Sequence, residues 1–254
     1  MIKRIFTNES DLFNLSLKRT VTIIPAKKVD YNGVVVDKPW GYEYLMFENN
    51  YAAVWILFLK YKAKTSMHCH PKKKTSLLVL NGMVETSSLD SSFDFKSMEG
   101  LIIDAGVFHS TRATSNQGVF IMEIETPPEK NDLVRLKDEY GRDNLGYESG
   151  ESISSEIDKY EYYHFHKTPA ENEEVQKLIK DTSVQICHSV TWKQLSKKFK
   201  KNKKRILCPL NYKLISKHGK VILEIGDIIE VKDLLEVSEV IAIPREGLVS
   251  LIIS

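Results

Sequence analysis

The residues of this chain best equipped for chemistry are three histidines. His68 and His70 flank one residue in "MHCHPKKKTSLLVLNG" (67–82), and His109 closes "GLIIDAGVFH" (100–109). Side chains two apart on a strand share a face, so the pair aims both imidazoles one way and Cys69 the other. A third imidazole from a neighbouring strand completes a three-nitrogen set. Imidazole suits zinc, iron, nickel, copper or manganese. Three protein ligands with an open position form a catalytic metal site rather than a structural one. Taken singly, each is a histidine that hydrogen-bonds at a polar barrel mouth. Cys69 itself reads as a small buried hydrophobe.

The elements that must hold these histidines are short strands. Residues 51–126 contain "YAAVWILFLKY", "KTSMHCH", "TSLLVLNG", "MVETSS", "GLIIDAG", "HSTRATS" and "GVFIMEIET", separated by turn residues. Regular short strands with turns between them predict a β-sandwich or small barrel. Asn81-Gly82 reads as a two-residue hairpin turn, because both residues tolerate positive φ. "RTVTIIPA" and "GVVV" make residues 1–36 an N-terminal β extension. After Pro127-Pro128, the caps Asn131 and Gly141 predict a short helix over "DLVRLKDEY". Residues 142–160 are polar and Ser/Glu-rich, a linker. Beyond them, "NEEVQKLIKD" and "TWKQLSKKFKKNKKR" read as helices, the first with charges suited to its dipole. From Arg205 onward the text is strand-like again. Gly226-Asp227-Ile228-Ile229, with Pro244 and Gly247 later, faintly echoes "GLIIDAG".

The histidine pattern resembles the cupin superfamily. His68, His70 and Gly82 answer to its first motif; Gly100, Gly106 and His109 answer to its second. "DKPWGYEY" (37–44) before the barrel and "TPPEKNDLVRLKDEYGR" (126–142) after it resemble the cupin domain of type II mannose-6-phosphate isomerases and their bifunctional guanylyltransferase relatives. The resemblance covers about residues 37–148. It implies a mainly β fold with a cupin-type jelly-roll barrel over 37–148; residues 149–254 lie outside it, and their own helix-like and strand-like text reads as a smaller α/β or degenerate barrel-like region. It also implies a homodimer and a divalent metal on His68, His70 and His109, zinc first, with manganese, iron or nickel as alternatives. The departures are specific. Thr75 stands where the family carries a metal-binding glutamate, Asp104 replaces the second motif's proline, and Lys62 replaces the first motif's opening glycine. A hydroxyl neither binds a metal as a carboxylate does nor offsets its charge.

Other residues carry two readings each. Glu123 and Glu125 alternate with apolar residues in "VFIMEIET". They face solvent at a strand end, or Glu123 enters the barrel beside the histidines as an acid/base group. Arg135 and Arg142 match the family's D-x-V-R-x-x-D-x-Y-G-R exit. They pair with Asp132 or Asp138, or they hold a sugar phosphate. His164-Phe165-His166 repeats the H-x-H spacing with no partner motif and is taken as structural. Leading into "KKFKKNKKR" (197–205), the spacing of Trp192, Leu195 and Phe199 gives a packed helix with a solvated basic face.

Composition bounds the rest. The net charge of +2 gives no field that would attract nucleic acid. Three cysteines make no disulfide framework and fit a reducing cytoplasm. "AAVWILFL" is too short to span a bilayer, and the polar N-terminus carries no signal-peptide core. No Gly-rich phosphate loop argues for nucleotide chemistry. The expected function is a metal-dependent sugar or sugar-phosphate isomerase or epimerase, in which a base moves a proton between adjacent carbons. The alternatives are a non-catalytic sugar-binding or scaffold cupin and an iron-dependent dioxygenase.

Overall fold

The computed structural model describes residues 1–18, 29–142, 147, 152–199, 204–236 and 241–254. The first part of the chain runs β1 (Ile2–Ile5), α1 (Glu9–Lys18), β2 (Val35–Lys38), β3 (Gly41–Glu48), β4 (Ala53–Leu59), β5 (Met67–Cys69), β6 (Lys74–Asn81), β7 (Met83–Ser88), β8 (Ser92–Lys96), β9 (Gly100–Ile103), β10 (His109–Ala113), β11 (Val119–Thr126), β12 (Val134–Lys137) and β13 (Ile153–Ser154). One sheet contains β4-β11-β6-β9 side by side, and the facing sheet contains β5-β10-β7-β8. Counted along the chain from β4, that is first-eighth-third-sixth against second-seventh-fourth-fifth, the strand order of a jelly roll. β3, β2 and β13 extend the first sheet beyond β4, β1 adds to β9 in parallel, and β12 adds to β5.

The second part runs β14 (Glu174–Ile179), β15 (Thr182–Ser189), α2 (Trp192–Lys197), β16 (Ile206–Pro209), β17 (Leu214–Ser216), β18 (Val221–Leu223), β19 (Ile229–Glu230), α3 (Val231–Glu236), β20 (Ile241–Ala242) and β21 (Leu248–Ile253). Its larger sheet is ordered β14-β15-β21-β16-β19 and its smaller one β18-β17-β20. This matches β3-β4-β11-β6-β9 and β8-β7-β10 strand for strand, with α2 in the place of β5. The C-terminal region is therefore a degenerate jelly roll with one wall strand replaced by a helix. The echo around Gly226 falls on the corresponding position, just before β19 as Gly100 opens β9. Thr191 and Gln194 form a capping box that starts α2. Leu195 and Phe199 then turn inward and fill the second barrel with Leu207, Leu214 and Ile252.

The two larger sheets pack face to face. β4 is apolar on both sides and β11 is buried on both, because each side is covered. Trp55, Leu57 and Ile121 face the first barrel's interior. Val54, Ile56, Phe120, Met122 and Ile124 meet Val184, Ile186, Ile206, Val249 and Leu251 of the second barrel. Polar ties lock the same interface: Ser76 donates to the Gly226 carbonyl at 2.6 Å and Thr182 to the Leu80 carbonyl at 2.6 Å.

Three local expectations are corrected. The segment expected as a helix over 132–140 is strand β12, because Val134 and Leu136 alternate into a cluster with Leu15, Cys69 and Phe108 while the backbone pairs with β5. The segment expected as a helix over 172–181 holds β14, an exposed edge strand in a hairpin with β15. Lys180 turns that hairpin at φ 52, and the Glu and Lys side chains decorate the strand's surface. Asn81-Gly82 does not make a hairpin. β6 and β7 belong to opposite sheets, and Gly82 (φ 86) carries the chain across, in a spot where a Cβ would meet Gly118 O at 3.1 Å. The helix α1 gave no sequence signal that was read. "RTVTIIPA" (19–26), part of the 142–160 linker and residues 200–203 lie outside the described residues.

Leu251 is fully buried between the sheets, so Leu251→Ala is expected to destabilise the protein by about 2–5 kcal/mol. Urea denaturation should show a lowered midpoint with an unchanged slope.

Candidate metal centre

β5 and β10 lie side by side, with His68 directly across from His109. His70 follows β5 by one residue, so the three rings meet at one point inside the barrel. Their centroids are 5.0, 4.5 and 5.5 Å apart, and each offers a nitrogen within 4.8 Å of the others. Cys69 points the other way and is fully buried against Phe108.

The backbone fixes which nitrogen faces the centre. His68 Nδ1 lies 2.8 Å from the Ser66 carbonyl, His70 Nδ1 2.6 Å from the Asp132 carbonyl, and His109 Nδ1 3.0 Å from the Val107 carbonyl. A carbonyl only accepts, so each Nδ1 carries the proton and each Nε2 presents a lone pair. This is the outer-shell arrangement that orients metal-binding histidines. His70 Nε2 is buried with no hydrogen-bond partner, an orphan that a metal would satisfy. Burial, the neighbouring imidazoles and Lys73 hold His68 and His70 well below the usual histidine range, and burial brings His109 down to about 4. All three are neutral at pH 7, the protonation state that ligation requires. The residues fit a divalent ion.

β11 supplies the acids. Glu123 and Glu125 both point inward, and Glu123 Oε1 stands 3.9 Å from His70 Nε2. Glu125 is committed to Lys73 at 2.6 Å and Lys130 at 3.5 Å. Glu43 on β3 holds Lys130 at 3.0 Å and Lys38 at 3.6 Å and accepts from the Tyr147 hydroxyl. Those cations bring Glu43 down to about 2 and lower Glu125 despite burial. Glu123 goes the other way: burial, then the charge of Glu125, raises it to about 7. The Lys130 ammonium also sits 3.6 Å above the Trp55 ring.

Arg135 and Arg142 both line the pocket. Arg135 is buried opposite His68 in the β12–β5 pairing. Arg142 forks onto Asp138, with Nε 3.1 Å from Oδ2 and a terminal nitrogen 2.7 Å from Oδ1. Asp132 instead accepts the backbone N–H groups of Lys72 and Lys73. Thr75 is buried in the barrel wall and its Oγ1 has no partner. Asp104 is turned away from the histidines and pairs with Arg4. His164 is tied to the Leu45 carbonyl at 3.1 Å and stacks on Tyr162, a structural role. Sequence reading passed over Lys38, Glu43, Lys73, Lys130 and Tyr147. Lys38 and Glu43 lie within "DKPWGYEY" itself; Lys73 and Lys130 carried no separable signal in lysine-rich text. The free space at the site is about 60 Å³, where one water takes about 10–15 Å³.

The strand order decides the fold. The barrel is a jelly roll. No protein-family model and no curated protein matches the sequence. Among solved structures, KdgF from Halomonas sp. is similar over 41% of this chain and 87% of its own, with 11% identity and a TM-score of 0.33. A double-stranded β-helix protein from Klebsiella pneumoniae covers 43% and 90% at 15% identity and TM-score 0.35. An RmlC-like cupin from Shewanella frigidimarina covers 38% and 85% at 12% identity and TM-score 0.35. Likenesses this distant say nothing about substrate. No helix among the described residues is long and apolar enough to cross a membrane.

The buried neutral histidines set an acid sensitivity. Their folded pKa values lie below the unfolded 6.5, so the unfolded chain binds more protons as pH falls through that range. Stability from this source is fully present above about pH 6.5 and is lost as pH falls through the depressed folded values, about 4 for His109. Glu123 acts oppositely between 4.5 and about 7, one group against three. Metal-free protein is expected to lose melting temperature from pH 7.5 to 5, and a variant with all three histidines changed to Gln should lose less.

Proposed function

We propose that this chain is a metal-dependent enzyme of the mannose-6-phosphate isomerase type, acting on a sugar or sugar phosphate in carbohydrate or surface-polysaccharide metabolism. One observation carries the reading: three neutral imidazoles aim their Nε2 lone pairs at one buried point, beside Glu123, the interior carboxylate that no lysine holds. Zinc is the first expectation for the ion, with manganese, iron or nickel as alternatives. When bound, it supplies Lewis acidity toward the carbonyl and hydroxyl oxygens of an open-chain sugar.

The chain's own residues divide the remaining work. Glu123, buried beside the histidines, takes a proton from one carbon and returns it to its neighbour. Arg135, beside His68, offers a planar fork to a phosphate. Arg142, already engaged by Asp138, adds fixed positive charge at the pocket wall. The confined space admits the reacting end of the substrate, with the remainder at the mouth. The three cysteines are buried, and the enzyme is expected to work in the cytoplasm as a homodimer. A second reading, a sugar-binding cupin without turnover, is favoured by Thr75, which withdraws the carboxylate from its family position.

Elemental analysis of the purified protein and an aldose–ketose assay with sugar phosphates separate these readings. The isomerase reading expects bound metal and interconversion, both lost in His109→Ala. Ligand binding with no turnover would favour the second reading. Full activity in metal-free protein would remove the metal role.

A further inference from the structure

We infer that Glu123 is itself a metal ligand: it closes the histidine set from β11, in place of the carboxylate that position 75 lacks. This assignment rests on the metal reading above and extends it by one residue.

Three observations support it. The first concerns what faces what. His70 Nε2 and Glu123 Oε1 are 3.9 Å apart, and the nitrogen has no hydrogen-bond partner. With its proton on Nδ1, the neutral imidazole presents a lone pair there, and a carboxylate oxygen presents lone pairs too. Two acceptors facing each other in a buried site are unfavourable unless something positive stands between them. Metal–nitrogen bonds of about 2.0–2.1 Å in a tetrahedral shell put ligand atoms roughly 3.4 Å apart. The observed separation is within a small side-chain adjustment of that value.

The second concerns commitment. The pocket holds three inward carboxylates. Glu125 is held by Lys73 and Lys130, and Glu43 by Lys38 and Lys130. Among the described residues, no lysine or arginine forms an ion pair with Glu123, although the charges of Lys73 and Lys130 reach it. It is the carboxylate left for a cation.

The third concerns register. Thr75 on β6 stands opposite Glu125 on β11, and Leu77 opposite Glu123. Glu123 is thus the diagonal neighbour of Thr75, about 7–8 Å away across the strands and within reach of a long side chain. The short threonine leaves the room that a glutamate at 75 would fill. Three neutral imidazoles leave a divalent ion's charge unbalanced; one carboxylate from the next strand offsets half of it. The same side chain then serves both to hold the ion and to carry the proton.

The test compares the wild-type protein, Glu123→Gln and Glu123→Asp, each stripped of metal and reloaded with cobalt(II) or zinc. Affinity is read by competition with a chromophoric chelator, and coordination by the visible bands of cobalt. Glu123→Asp keeps the charge but withdraws it by one methylene, and it serves should Glu123→Gln fail to fold. The expected result is one metal per wild-type chain, ~100-fold or greater weakening in the variants, and altered cobalt bands. Unchanged affinity overturns the assignment. So does weakened affinity with unchanged bands, which would make Glu123 a nearby charge only. A wild-type protein that binds no metal overturns both this assignment and the metal reading beneath it.

Discussion

Everything in this molecule hangs on sheets that are buried on both faces. β4, β6 and β11 carry large side chains inward, around the pocket, and equally large ones outward. A sheet with water on one side leaves one face exposed; these strands are covered on both, so that even Glu123 and Glu125 are buried. Their outer face has to be covered, and the second barrel covers it with Ile186, Val249, Leu251 and their neighbours. Burial on both sides fixes the register of β11 against β6, because a slip of one residue would send Glu123 into the interface and Met122 into the pocket. The apolar interface thereby fixes where the chemistry points.

Inside the pocket, a low dielectric decides which groups can coexist. Acids survive there by acquiring lysines, as Glu43 and Glu125 do; Glu123 has no such ion pair, and burial and the charge of Glu125 raise its pKa. The histidines survive by remaining neutral, each anchored through Nδ1 to a backbone carbonyl. Those carbonyls come from Ser66, Val107 and Asp132, three separate loops. Ring orientation is therefore a property of the folded barrel rather than of the local H-x-H spacing.

Much of this was legible in the sequence. The jelly roll followed from short strands and turns, and the histidine set from two spacings matched to a known pattern. The second barrel was audible only as an echo around Gly226, because Leu195 and Phe199 fill its interior and a helix stands where the first barrel has β5. β12 and β14 were misread because cap residues and flanking charges mimic a helix, while the decisive fact, a sheet edge waiting for a partner, is non-local. Glu123 shows the same limit. Alternation left its face open, and only the partners of β11 resolve it. The lysine network was invisible for a related reason: a buried lysine and a surface lysine look alike in "KKKTS" until the carboxylate beside one of them is known.

The helix that replaced a wall strand in the second barrel changes what evolution can do there. The first barrel must keep a cavity, three oriented rings and a ring of balanced charges, so few of its inner positions can drift. The second must keep only an apolar filling and a matching outer face. Its sequence is free to wander wherever volume and hydrophobicity are preserved. Divergence among descendants of this chain should therefore accumulate fastest in the second barrel.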